Sequence, residues 1–126
     1  MIMSLYTTTP NRLDDCLFLG DTHQRYEKVP KINILYLRAE GGWVDVITIQ
    51  KTYRISTHLG NLEAQLDTDF FQRVSRSHIV NVHRIDAIQH NALTIADQTI
   101  SIGRQYRSAL FARLPVLRTS PMSTAS

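Results

Sequence analysis

The chain has 126 residues, 43% of them hydrophobic and 20% charged, a composition that suits one soluble globular domain and leaves little room for a second. No apolar run is long enough to span a membrane, no signal-peptide core opens the chain, and Cys16 stands alone. Anchoring, secretion and a disulfide framework are therefore not expected, and the cytoplasm is the expected compartment.

Charge is unevenly spread. Residues 71–118 hold seven arginines (Arg73, Arg76, Arg84, Arg104, Arg107, Arg113, Arg118) against Asp86 and Asp97, whereas residues 1–70 hold seven basic and nine acidic side chains. A basic second half favours a polyanionic partner, although solvated surfaces can carry the same excess.

Residues 1–13, rich in Thr, show no period and read as a flexible tail. Cys16-Leu17-Phe18-Leu19 is a short apolar strand, and a second runs from Arg25 to Val29 until Pro30 breaks the ladder. Ile32 to Ala39 is a strongly apolar third strand. Gly41-Gly42 makes a hairpin turn into Trp43 to Gln50, and Gln50-Lys51 turns into a strand at Thr52 to Ser56. The period then changes. Leu59, Leu62, Glu63 and Leu66 stand at helical spacing, which predicts a helix over His58 to Leu66 capped by Ser56 or Thr57.

Phe70 to Val74 returns to strand, with Phe71 and Val74 toward a core. Ile79, Val80 and Val82 follow inside, then a strand through Ile85, Ala87 and Ile88. Leu93 and Ile95 alternate in the next strand, Asp97-Gln98 turn, and Ile100 and Ile102 mark the last. Gly103 stands at the start of a second helix containing Leu110, Phe111 and Leu114, which Pro115 ends. Residues 14–114 form the expected domain and 115–126 a disordered tail. The fold class is mainly β, antiparallel, with two short helices.

Catalytic and metal chemistry find little support. Gly41-Gly42 lacks the lysine of a phosphate-cradling loop, the five histidines (His23, His58, His78, His83, His90) are dispersed, and Ser75-Arg76-Ser77 lacks the glycines of a nucleophile elbow. No enzyme activity, cofactor or metal is expected.

Binding chemistry is better supported. Arg76 is flanked by Ser75 and Ser77, and Asp69 is the one acid within eight positions of it. A guanidinium without a nearby carboxylate can serve an external phosphate or guanine edge. Arg73 and Arg76 could equally be edge-strand charges that discourage pairing. Arg104 and Arg107 lie in the first turn of the last helix, where cations oppose the helix dipole unless an anion approaches. Trp43, just after the double glycine, is either displayed at a hairpin tip or folded back on the sheet.

Three blocks resemble the LytTR-type DNA-binding domain of bacterial transcription regulators. Ile34-Leu35-Tyr36-Leu37-Arg38-Ala39-Glu40-Gly41-Gly42-Trp43-Val44 resembles its strand–turn–strand. Leu59 to Leu66 with Phe71-Gln72-Arg73-Val74-Ser75-Arg76-Ser77-His78-Ile79-Val80-Asn81 resembles its helix and strand signature. Ile100-Ser101-Ile102-Gly103-Arg104-Gln105-Tyr106-Arg107 resembles its last strand and helix start. The match runs over roughly Cys16 to Leu114, with Ser75 where the family usually has His, Arg38 where it has an acid, and Gly103 where Ser is common.

The resemblance implies an elongated arrangement of small antiparallel β-sheets, with loops and a helix start entering successive major grooves of double-stranded DNA at direct-repeat promoter sites. A second copy could occupy the adjacent repeat. It also implies that Arg76 and Arg104 contact bases and that the turn before Val44, with Trp43, supplies the remaining contact. Arg73 and Arg107 are expected on phosphates, beside Ser75 and Ser77. The expected function is sequence-specific DNA binding and transcription regulation by a response-regulator output domain acting alone, since the residues before the first strand are too few for a receiver domain. The alternative is a β-rich protein-interaction module that has lost DNA recognition and whose arginines serve an acidic partner.

Overall fold

The computed structural model describes residues 13–20 and 23–117. Almost all of the expected N-terminal tail, and residues 118–126 of the C-terminal one, lie outside the described residues. The strands are β1 (Cys16–Gly20), β2 (Tyr26–Pro30), β3 (Ile34–Glu40), β4 (Trp43–Thr48), β5 (Thr52–Ile55), β6 (Phe71–Arg73), β7 (His78–Asn81), β8 (Ala87–Gln89), β9 (Ala92–Ile95) and β10 (Gln98–Ser101); the helices are α1 (Leu59–Glu63) and α2 (Arg104–Arg113). They form three antiparallel sheets: β1-β2, the central β5-β4-β3-β7-β6, and β10-β9-β8.

The central sheet is buried on both faces, which is why β3 reads as a continuous apolar run. Ile34, Leu37 and Ile79 face one core with Leu19, Val29, Val44, Val46, Tyr53, Leu59 and Phe71. Leu35, Tyr36 and Val80 face the other with Val74, Leu93, Ile95, Ile100, Ile102 and Leu110. One core is thus roofed by the β1-β2 hairpin and α1, the other by the small sheet and α2. A register irregularity between Ile34 and Tyr36 puts Leu35 and Tyr36 on the same side despite the strand period of two.

Turn chemistry sets the registers. Gly41, at φ 62°, lets a two-residue turn pair Glu40 with Trp43. Ala96 (φ 48°) and Asp97 (φ 68°) form the β9–β10 turn, so Gln98, expected within the turn, already pairs with Ile95. The turn expected at Gln50-Lys51 is wider, because the Thr48 hydroxyl accepts from the Gln50 and Lys51 amides and donates to the Lys51 carbonyl. Pro30 closes β2 opposite Cys16, an end position where its missing N–H costs nothing.

The first helix is shorter than expected. Its N-cap is His58, which makes no side-chain cap bond, and regular helix stops at Glu63. The Thr57 hydroxyl, one of two expected caps, accepts instead from Asn61 Nδ2 at 3.0 Å. One helical bond, from Leu66 N–H to Leu62 O, carries the turn on to Leu66, so the apolar spacing outlasts the helix itself. The second helix begins with Gly103 as N-cap and ends at Arg113, before Leu114 and Pro115.

Candidate nucleic-acid interface

One end of the central sheet gathers the predicted residues. There β6 ends at Arg73, β7 begins at His78, and the turn between them carries Ser75, Arg76 and Ser77. The Ala39 N–H donates to Ser77 O at 2.8 Å, which sets this turn beside the β3–β4 hairpin tip that bears Trp43. The Gly103 N–H donates to Val74 O at 2.7 Å, which sets the start of α2, and so Arg104, beside the same turn.

Gly103 fits closely here. A Cβ there would lie 3.1 Å from the Tyr106 ring, which would have to shift by a few tenths of an ångström, and 3.6 Å from Val74 O, an ordinary contact distance.

The four arginines expected at the interface differ in how far the protein already engages them. Arg76 and Arg104 are exposed, and among the described residues no hydrogen bond or ion pair engages either guanidinium. Arg73 differs from the free phosphate ligand expected of it. Its Nε donates to Ser75 O (2.8 Å), its Nη2 to Arg76 O (2.8 Å) and its Nη1 to Glu63 Oε1 (2.7 Å), and its side chain is only 16% exposed. Arg107 lies between these cases. One nitrogen donates to the His90 carbonyl, and the guanidinium stacks over Phe111 at 4.6 Å.

The serines are also engaged. Ser75 Oγ accepts from the Ser77 N–H, and His78 Nδ1 lies 3.0 Å from Ser77 Oγ and 3.4 Å from Ser75 Oγ. The structure brings both hydroxyls to the turn, where they already brace it. Burial, with the nearby Arg38 charge second, pushes the His78 pKa below its ordinary value, so the imidazole is held neutral against the hydroxyls.

Trp43 is displayed and held at once. It is 40% exposed, and the Arg54 guanidinium stacks over its ring at 4.5 Å. Arg54 in turn grips the buried Asp45 carboxylate with two bonds of 2.8 and 3.0 Å, and Arg38 Nη2 reaches the same carboxylate at 3.2 Å. These bonds, chiefly those from Arg54, hold the Asp45 pKa below the ordinary carboxylate range.

Sequence reasoning missed this group. Arg54, Asp45, Arg38 and His78 occupy consecutive cross-strand positions over β5, β4, β3 and β7. Counting back from the two-residue glycine turn pairs Arg38 with Asp45, so part of the row was available as a signal. Among the described residues there is no cluster of three or more His, Cys, Asp or Glu able to hold a metal ion. No described helix is long and apolar enough to cross a membrane.

The fold is thus a β-built scaffold that presents, at one end, two arginines without a partner among the described residues, an aromatic hairpin tip and a helix start. The sequence matches the family model described as the LytTr DNA-binding domain over residues 24–115, and the chain belongs to that family. Among solved structures it is similar to the LytTr DNA-binding domain of a protein described as a methyl-accepting/DNA response regulator from Bacillus cereus. The two are 27% identical with a TM-score of 0.67, over 81% of this chain and 98% of that one. A search of curated proteins finds no match.

Proposed function

We propose that this chain binds double-stranded DNA sequence-specifically and regulates transcription, with Arg76 and Arg104 as its base readers. The observation that carries this reading is the division among the arginines. Arg76 and Arg104, on adjoining elements, are the two of the four with no protein partner among the described residues. A planar fork presented without an acceptor matches the O6/N7 pair of guanine in a major groove.

The exposed Trp43 at the Gly41-Gly42 tip supplies a third contact, and Arg107 offers its remaining N–H groups to a phosphate. The open amides at the start of α2, where no side chain caps the helix, suit a phosphate as well. The reading assigns no catalytic role and places the protein in the cytoplasm with its DNA. Membership of the LytTR family and the response-regulator origin of the similar structure support it, and direct-repeat promoter sites with one copy per repeat are the corresponding partner.

The experiment is duplex selection from a random pool, followed by titration of Arg76→Ala and Arg104→Ala on the selected site and on its single-base variants. The 126-residue protein should bind without any phosphodonor if the domain acts alone. Each variant should become indifferent at one base position, at a cost of about 1–3 kcal/mol on the matched duplex. Loss spread evenly over every duplex would reduce both arginines to phosphate ligands. Failure of the parent protein to select any duplex would favour an acidic protein partner instead.

A further inference from the structure

We infer that Arg73 is a positioning residue that sets the direction of Arg76, an inference that rests on Arg76 reading a base. The four carbonyls of the turn between β6 and β7 account for the assignment. Val74 O accepts from the Gly103 N–H and Ser77 O from the Ala39 N–H, so the base of the turn is fixed by backbone on both sides. The two carbonyls at its apex, Ser75 O and Arg76 O, both accept from Arg73, at 2.8 Å each.

With its carbonyl turned in toward Arg73, residue 76 has its backbone fixed where the chain reverses, and its side chain is the exposed member of the turn. Arg73 Nη1 is anchored 2.7 Å from Glu63 Oε1 at the end of α1, which supports the guanidinium from behind. Charge alone cannot perform this task. Nε and Nη2 of one rigid plane reach two successive carbonyls together, and a lysine offers only a single flexible ammonium. A phosphate ligand at position 73 would need only the charge.

The test separates those roles with Arg73→Lys, which keeps the charge and removes the fork, in parallel with Arg76→Ala and Glu63→Gln. Two readings are taken on each protein after a thermal melt has confirmed folding. In the absence of DNA, hydrogen exchange at the Ser75 and Ser77 amides, which donate to His78 O and Ser75 Oγ, should speed up at least about tenfold in Arg73→Lys, while the β3–β4 amides stay at parent rates. On the selected duplex and its single-base variants, Arg73→Lys should lose preference at the position that Arg76→Ala makes indifferent, by about five- to a hundredfold in the matched-to-mismatched ratio. Its salt slope should remain that of the parent.

Unchanged turn exchange, or an unchanged base ratio, overturns the inference. A lower salt slope with uniform loss across duplexes overturns it in favour of a phosphate contact. If Arg73→Lys does not fold, Glu63→Gln carries the same readings in weaker form, since it loosens the anchor and leaves the fork. Faster turn exchange combined with an Arg76→Ala variant that keeps full base preference shows a different failure: the turn is clamped as described, but Arg76 is not the reader, and the assignment falls with that reading.

Discussion

At the scale of single residues, the interface depends on which polar groups the fold has already used. Among the described residues Arg76 has no partner and Arg73 has several, although three positions separate them and the same hydroxyl-rich turn surrounds both. The sequence could not separate them, because the groups that satisfy Arg73 are backbone carbonyls, which every residue carries, and Glu63, ten positions upstream. His78 is committed too, and its commitment can be titrated. It packs 6.0 Å from the Tyr36 ring, beside Arg38, with its Nδ1 on the two serine hydroxyls. Its folded pKa lies below the ordinary 6.5, so the unfolded chain takes up the proton more readily. Stability from this group is therefore complete above the unfolded value and declines as pH falls below it, until the folded imidazole protonates as well. The melting temperature should drop between about pH 7.5 and about pH 5.5, and the drop should shrink in His78→Gln. An identical decline in that variant would show that His78 is not its source.

At the scale of elements, what alternates was readable and what depends on length was not. Phe71, Ile79, Val80 and Leu93 were expected inside and are buried, because successive strand residues point to opposite faces and the central sheet has a core on each. The end of α1 was misjudged, since Leu62 and Leu66 keep their spacing through a last irregular turn in which only single helical bonds persist. The β9–β10 turn shows the same limit. A turn was expected at Asp97-Gln98 and lies one residue earlier, because Ala96, which is no usual turn residue, shares the positive φ with Asp97. Ala96 is exposed and holds a conformation that L-residues reach at a cost of about 1 kcal/mol. Asn adopts it more readily, and the bond to Asp86 Oδ2 uses only the backbone N–H of residue 96, so it survives the exchange. Ala96→Asn should therefore stabilise the protein by roughly 0.5–1 kcal/mol in denaturant melts. A neutral or destabilising result would mean that the turn is held by its neighbours and not by its own preference.

At the scale of the molecule, two cores share one sheet. β3 and β7 give side chains to both, so neither roof can leave without exposing a face of the same strands. Asn81 strengthens the coupling. It is fully buried in β7, donates to the Lys31 and Ile34 carbonyls at 3.1 and 2.8 Å, and accepts from the His83 N–H at 2.9 Å. The sequence shows Asn81 only as one more small polar residue in an apolar run, because its partners are backbone groups, two of them nearly fifty positions away. This architecture predicts cooperative unfolding. Phe71→Ala removes a ring from the core under α1 and should cost about 3–5 kcal/mol, while Leu93→Ala opens the core under α2 and should cost about 2–5 kcal/mol. Despite acting on opposite faces, each should shift one common transition. The single tryptophan, Trp43, sits on the shared sheet, so its fluorescence and the far-ultraviolet circular dichroism should report the same midpoint in both variants. If Leu93→Ala instead gave an early loss of dichroism with the Trp43 signal intact, the small sheet and α2 would be melting on their own. Arg104 would then stand on a separable element, and the spacing between the two proposed base readers would not be fixed by the central sheet.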